Sequence, residues 1–296
     1  WGRYRSIWKI QGEPLVSIVI PNKDHLSDLK RCLDSIYRKS TYRNFEVLVL
    51  ENNSTSQEIF RFYEELENTY ENLKVLRWEK GFNYAAINNF GAEQAKGEYL
   101  LFLNNDTEVI TPDWLEELLG YCQREDVGAV GAKLYYPNDT IQHAGIVLGM
   151  GADGVAGHIL YGTERGRFTY AGRANSTQDI SAVTAACMMV KKEIHQKIEG
   201  FDSGFAVAFN DVDYCLRIRE LGKLVVFDAF VELYHYESNS RGKEDTREKQ
   251  KRLKQEAERF HRRWKSILEK GDPYYNPNLS LLLCDCSLRW PRRINL

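Results

Sequence analysis

Tyr99-Leu100-Leu101-Phe102-Leu103-Asn104-Asn105-Asp106 is an unbroken apolar run that stops abruptly at an Asn-Asn-Asp turn. A short run without alternation reads as a strand buried on both faces, the kind found inside parallel sheets. Upstream, residues 16–20 form a similar β-branched run ending at Pro21, and residues 45–50 form another. Residues 74–77 make a weaker strand. Between these runs, apolar side chains recur at helical spacing: Leu26, Leu29, Leu33, Ile36 and Tyr37, then Ile59, Phe62, Tyr63 and Leu66, then a stretch over 84–95. Downstream, Thr111-Pro112-Asp113 reads as a helix start with a hydroxyl N-cap, a first-turn proline and an acid at the positive dipole end. Residues 127–131 form a fifth strand. Strand and helix thus alternate four times, which predicts an α/β fold with a mostly parallel sheet covered by helices on both faces. Ligands on such sheets sit beyond the carboxyl ends of the strands, so the polar stretches there are where chemistry is sought.

The second half is less regular. Residues 145–173 are Gly-rich and read as a long loop, and 182–190 as a strand of small residues. A helix is expected over 211–221, stopped by Gly222, then a strand over 224–227. Residues 246–268 form a long helix with Leu253, Ala257, Phe260, Trp264 and Ile267 in one apolar stripe. The expected organisation is an N-terminal lead (1–15), one domain (16–245), and a C-terminal helix and tail packing on it (246–296). The chain starts at Trp1 rather than Met, which reads as a module of a larger polypeptide.

Bulk properties exclude several classes. With 43% hydrophobic and 28% charged residues the chain has a globular balance, and a net charge of -2 lacks the basic excess of a nucleic-acid binder. No apolar run approaches the roughly 18 residues needed to span a bilayer. The six cysteines are scattered, mostly in apolar stretches, which points to a reduced, cytoplasmic setting. No GxGxxG follows the first strand, and neither GxxxxGK[ST] nor GxSxG occurs.

Four polar clusters carry candidate chemistry. Asn104-Asn105-Asp106 offers hard oxygen ligands suited to Mg²⁺ or Mn²⁺, and equally forms a turn. Glu51-Asn52-Asn53-Ser54 ends a strand where a carboxylate can accept a hydrogen bond from a base or ribose; it too has turn composition. Asp211, in Asn210-Asp211-Val212-Asp213, is a general base or a helix cap. His235, between Tyr234 and Tyr236, is a metal ligand or a packed core histidine, with Arg241 following as a phosphate-binding candidate. His143 and His158 have weaker claims.

Taken in order, these clusters resemble the family 2 glycosyltransferases of the GT-A fold, over about residues 16–242. The segment from Val16 to Asp24 resembles the family's opening strand and nucleotide-binding turn, which implies donor contacts from Pro21 and Asp24. Leu48-Val49-Leu50-Glu51-Asn52-Asn53 resembles its second strand, with Glu51 and Asn53 toward the base and Glu51 standing where Asp is commoner. The segment from Gly81 to Gly91 resembles Gly-x-x-x-Ala-x-Asn-x-Gly near the donor, with Asn83 and Asn89 as its amides. Residues 99–106 resemble the Asp-x-Asp strand with Asn104 for the first Asp, which implies donor contacts from Asn104 and Asn105 and a metal on Asp106. Gly200-Phe201-Asp202 through Arg217 resembles the block holding the catalytic base, here Asp211, with Asn210 for Glu. His235 and Ser240-Arg241-Gly242 match a late motif and imply metal and diphosphate roles.

The resemblance implies an inverting transfer from a UDP- or dTDP-sugar, with Mn²⁺ or Mg²⁺, to a glycan or lipid-linked acceptor. The nearest likeness is to bacterial surface-polysaccharide enzymes of rhamnan or O-antigen type. The basic side of the 246–268 helix is a solvated face or a contact for anionic lipid, which would hold the protein peripherally at the inner face of the cell membrane. The rival is a non-catalytic glycan-binding module, suggested by Asn at 104 and 210. A sugar nucleotidyltransferase is disfavoured, because Pro21-Asn22-Lys23-Asp24 lacks a Gly-rich pyrophosphate loop.

Overall fold

Each apolar run in the first half becomes a strand and each amphipathic stretch a helix. In the computed structural model, which describes residues 4–236 and 246–289, these are β1 (Val16–Asn22), α1 (Leu26–Lys39), β2 (Phe45–Glu51), α2 (Gln57–Thr69), β3 (Leu73–Arg77), α3 (Tyr84–Gln94) and β4 (Tyr99–Leu103). There follow β5 (Thr107–Val109), α4 (Trp114–Cys122), β6 (Val127–Tyr135), β7 (Ile141–His143), β8 (Ile146–Leu148), β9 (Ala156–His158), β10 (Gln178–Asp179) and β11 (Cys187–Lys191). The chain continues through α5 (Lys192–Lys197), α6 (Asn210–Glu220), β12 (Leu224–His235) and α7 (Arg247–Lys270).

The main sheet runs β10-β12-β6-β11-β4-β1-β2-β3. The β4-β1-β2-β3 half is parallel, as is β12 on β6, whereas β11 is antiparallel to both its neighbours. Strand alternation sorts the apolar residues onto two faces. Ile18, Ile20, Val47, Val49 and Leu101 join α1, α2 and α4 on one side. Val19, Leu48, Leu50, Leu100 and Phe102 join α3 and α6 on the other. Helix α7 lies on this second side and buries Phe260 and Trp264, with Phe260 against Phe205 and Phe209.

Four expectations need correction. The 145–173 stretch is not simply a loop: it contains the β8–β9 hairpin and a 3₁₀ segment (Tyr170–Asn175), and buries Val147, Leu148, Val155 and Ile159. Three-residue strands broken by left-handed Gly149 and Gly151 are too short to display a period. The 224–227 strand extends to His235, because its charges at Asp228 and Glu232 are buried or paired rather than solvated. Glu232 meets Lys133 at 3.0 Å and Arg165 at 2.6 Å. The strand expected at 182–190 is regular only from Cys187, with Ala182 bridging Ile146. Finally, Thr111 is not an N-cap: its hydroxyl donates to Phe230 O (3.1 Å) and accepts from Glu232 N (3.0 Å), while Asp113 holds the cap position.

Five cysteines are buried, Cys284 is half-buried, and all six are free thiols. Among the described residues, no helix is long and apolar enough to cross a membrane.

Candidate active site

The carboxyl ends of β1 and β4, the start of α6 and the first turns of α7 surround a cleft of about 550 Å³. Pro21, Asp24, Asn104, Asn105 and Asp211 all line it, so five of the residues singled out from sequence meet in one place. Strained backbone clusters at its edge. Asp24, His25 and Phe209 have φ of 53°, 43° and 62°, a region that bulky residues occupy only when their surroundings hold them there.

The turn after β1 is held by a relay of hydrogen bonds. Asp24 accepts from Thr55 N (2.8 Å) and Ser56 N (2.9 Å), and its own amide donates to Ser54 Oγ (2.7 Å). Burial works to raise the Asp24 pKa, but the two backbone donors outweigh it and hold the carboxyl below its ordinary value. Ser54 Oγ donates to Glu51 Oε2 (2.6 Å), which also accepts from Tyr63 OH (2.7 Å). Asn22 Nδ2 donates to Tyr63 OH (2.7 Å), and Asn105 Nδ2 donates to Asn22 Oδ1 (2.5 Å). The relay thus ties the end of β1 to the turn after β4. Glu51 is only 4% exposed, its oxygens are engaged by Ser54 and Tyr63, and it does not line the cleft.

The Asp106–His235 pair sits behind Asn104. Antiparallel pairing of β5 with β12 sets His235 opposite Thr107, and Tyr236 N donates to Asp106 O (2.8 Å). The extra length of β12 therefore carries His235 to the turn after β4. Asp106 is 3% exposed, with Oδ1 3.1 Å from His235 Nε2. On the other side of the ring, His235 Nδ1 lies 2.6 Å from Gln142 Oε1, an acceptor, which assigns the neutral ring's proton to Nδ1. Nε2 then presents a lone pair toward Asp106 Oδ1, a buried oxygen with no aligned hydrogen bond of its own. Asn104 Nδ2 lies 3.2 Å from the same Nε2. Burial works to raise the Asp106 pKa, but when the His235 ring is protonated its contact and its charge outweigh burial and hold the carboxyl below its ordinary value. Carboxylate and imidazole acceptors facing each other suit a shared cation. Among the described residues no third His, Cys, Asp or Glu joins them. A two-ligand site fits an ion such as Mg²⁺ that takes its remaining oxygens from substrate phosphates and water.

Asp211 is the second residue of α6. Its Oδ2 accepts from Ala185 N (3.3 Å) and its Oδ1 from Val212 N (2.9 Å), and the helix dipole favours a carboxylate there. Its neighbour Asp213 is fully buried against Arg217 (2.8 Å) and Trp264 Nε1 (3.0 Å), a packing role.

In the Gly81–Gly91 segment the two candidate amides hold the scaffold together. Asn83 Oδ1 caps α3 by accepting from Ala86 N (3.0 Å), and its Nδ2 donates to Ser203 O (2.9 Å). Asn89 clasps Phe201 through both backbone N (2.8 Å) and O (2.8 Å). Gly91 lets α3 lie directly on the sheet: a Cβ there would stand 2.6 Å from Val19 Cγ1 and 2.7 Å from Leu50 Cδ1. Gly91→Ala is expected to cost about 1–3 kcal/mol in chemical denaturation through overpacking. Neither Asn83 nor Asn89 lines the cleft. Asn53 does not either; it is exposed, with φ 55° and Nδ2 donating to Lys80 O (2.8 Å). Arg241 lies outside the described residues. Two aromatics, Phe82 and Tyr84, line the cleft; Phe82 is 58% exposed, and Tyr84 OH lies within hydrogen-bond distance of Asn104 Oδ1 (3.2 Å) and Ala185 O (3.1 Å).

Sequence reasoning missed Lys23, His25, Thr184, Lys249 and Arg252 in the lining. In the sequence Lys249 and Arg252 do not stand out from the rest of a basic helix face. Their i,i+3 spacing shows that they share a face, but not which one meets the cleft.

A cleft at the carboxyl ends of parallel strands, with an Asp–His pair buried next to its lining and a helix-borne carboxylate in it, defines a GT-A glycosyltransferase architecture. The sequence pattern described as Glycosyl transferase family 2 matches residues 17–199, and the chain belongs to that family. It is 45% identical over 291 residues to protein y4gI of Sinorhizobium fredii, covering 98% of this chain and 32% of that protein. It is 43% identical over 288 residues to the O-antigen biosynthesis protein RfbC of Myxococcus xanthus, covering 97% of this chain and 22% of that one. The chain thus spans a third or less of these relatives. Among solved structures, GalNAc-T7 with UDP, GalNAc and Mn²⁺ superposes with a TM-score of 0.70 at 15% identity, over 88% of this chain and 49% of that one. A mannosyltransferase from Pyrobaculum calidifontis with GDP-Man and Mn²⁺ superposes with a TM-score of 0.62 at 18% identity, over 90% and 72%. At these identities the likeness establishes the GT-A fold.

Proposed function

We propose that this family 2 glycosyltransferase is an inverting enzyme that moves a sugar from a nucleoside-diphosphate donor to a hydroxyl of a glycan or lipid-linked acceptor during bacterial surface-polysaccharide synthesis. The observation that carries the reading is that the Asp24 turn and Asp211 line one cleft, with the Asp106–His235 pair buried next to its lining residue Asn104. Asp211 takes the proton of the acceptor hydroxyl as that oxygen attacks the anomeric carbon. The bond from that carbon to the diphosphate oxygen breaks on the opposite side, and the configuration inverts. Asp106 and His235 are the residues we assign to a Mn²⁺ or Mg²⁺ ion, whose chemistry when bound is to neutralise charge developing on the departing diphosphate. Asp24 and Pro21, with Asn104 and Asn105, form the donor wall. The relay through Asn22, Tyr63, Glu51 and Ser54 holds that wall in shape, and Asn22 is the member that itself lines the cleft. The donor we propose is a UDP- or dTDP-sugar.

The setting we propose is cytoplasmic and peripheral to the membrane, as one module of a longer polypeptide. Likeness over nearly the whole chain to part of an O-antigen biosynthesis protein supports that setting. Incubating the chain with Mn²⁺, a panel of α-linked UDP- and dTDP-sugars and lipid-linked saccharide acceptors tests the reading. The expected product has a β-linkage by NMR. An α-linked product would rule out inversion, and hydrolysis or transfer from none of the donors would rule out the donor class.

A further inference from the structure

We propose that α7, which lies beyond the segment matched by the family pattern, contributes a diphosphate-binding arm in which Lys249 and Arg252 hold the anionic part of the nucleotide donor. The proposal rests on the donor reading above and names two residues that it did not include. Both line the cleft that holds Asp24 and Asp211. They stand three residues apart and are half-buried, whereas Lys251, Lys254, Arg262 and Lys265 on the same helix are exposed.

The arm is rigidly mounted. Thr246 caps the first turn, its hydroxyl oxygen accepting from Lys249 N (3.2 Å). One turn after Arg252, the buried Glu256 carboxylate accepts from Val207 N (3.1 Å) and Ala208 N (3.0 Å), in the loop that leads into Asp211. Further on, Arg259 and Arg263 reach Asp202 Oδ2 at 2.8 and 2.9 Å, and Trp264 donates to Asp213. The helix is therefore fastened to both ends of the segment that precedes and begins α6. Its cleft-facing cations are positioned by the same contacts that position Asp211.

The charge of the cleft supplies the reason for cations at that wall. Asp24 and Asp211 line it, so a diphosphate entering between them meets two carboxylates, with a third, Asp106, buried next to Asn104. An ion on Asp106 and His235 offsets part of that repulsion. Lys23 stands on the β1 side, and Lys249 with Arg252 on the α7 side, so cations face the anion from two walls. A planar guanidinium suits two phosphate oxygens at once, and an ammonium beside it suits a third as a point charge.

The test is calorimetric titration of the full chain in Mn²⁺ with UDP, dTDP and GDP, and with the matching nucleosides. It is run on wild type, Lys249→Met, Arg252→Met and Arg252→Lys. The methionines keep the apolar stems, and thermal melts check folding. Each methionine variant is expected to weaken nucleoside diphosphate binding by about tenfold or more, with nucleoside binding unchanged and Arg252→Lys in between. Diphosphate binding within twofold of wild type in both methionine variants overturns the proposal. So does a raised acceptor KM with donor affinity intact, which would reassign the arm to an acceptor's phosphates. Failure of wild type itself to bind any of the three diphosphates defeats the donor reading on which the proposal stands, and is distinguishable because it appears before any substitution.

Discussion

Asp211→Asn is expected to lower kcat by a factor on the order of 10² to 10⁴, the range a positioned general base contributes, while donor affinity stays within a few-fold of wild type. The substitution isolates proton transfer. Asparagine keeps the shape, and its Oδ1 can still accept from Val212 N or Ala185 N, the two donors the carboxylate now meets. Melting temperature should therefore change little. The other lining carboxylate, Asp24, is committed to the Thr55 and Ser56 amides that hold the turn after β1. It is a poor substitute base. Initial rates and nucleotide titrations on the same preparation separate the two effects, and a variant retaining more than a tenth of wild-type kcat would remove Asp211 from the role.

Asp106→Ala and His235→Ala carry the second large effect. Each is expected to cost about 10²–10³ in kcat at saturating Mn²⁺, the magnitude associated with losing one preorganised stabiliser of developing charge. The double variant should be scarcely worse than the worse single one, because both residues are assigned to one ion. Metal-free stability at neutral pH should fall modestly in Asp106→Ala, since a carboxyl held below its ordinary pKa favours the folded state above that pKa. Rates across a Mn²⁺ series and melts in chelator check both statements. Additive losses in the double variant would mean that the two residues act separately.

The parallel half of the sheet was legible because its strands are mostly apolar and its helices largely amphipathic, and both signals are local. Residues 99–106 alone located the turn that carries Asp106. Legibility failed where tertiary partners override the local pattern. Asp228 and Glu232 interrupt the apolar run of β12, yet the strand continues because Glu232 is paired with Lys133 and Arg165 and Asp228 accepts from Thr177 (3.0 Å) and Phe230 N (3.0 Å). That hidden continuation is what brings His235 to Asp106.

Site roles divided along the same line. Residues at strand ends, such as Asp24 and Asn104, could be located from the order of elements. Whether a polar side chain faces the cleft or its own scaffold could not. Glu51, Asn83 and Asn89 have the composition of ligand contacts, but their atoms are engaged by Ser54 and Tyr63, by Ala86 and Ser203, and by Phe201. Lys249 and Arg252 show the reverse case. They are two basic residues in a helix rich in them, distinguished only by how α7 docks through Glu256, Phe260 and Trp264.

The most direct test of a metal-assisted nucleotide-sugar cleft is calorimetric titration of the wild-type chain with UDP, dTDP and GDP, each with Mn²⁺ and with chelator. The account predicts that uracil or thymine diphosphate binds in Mn²⁺ and that chelator weakens that binding by tenfold or more, about 1.4 kcal/mol. A folded sample that binds none of the three, or binds equally well in chelator, would contradict it.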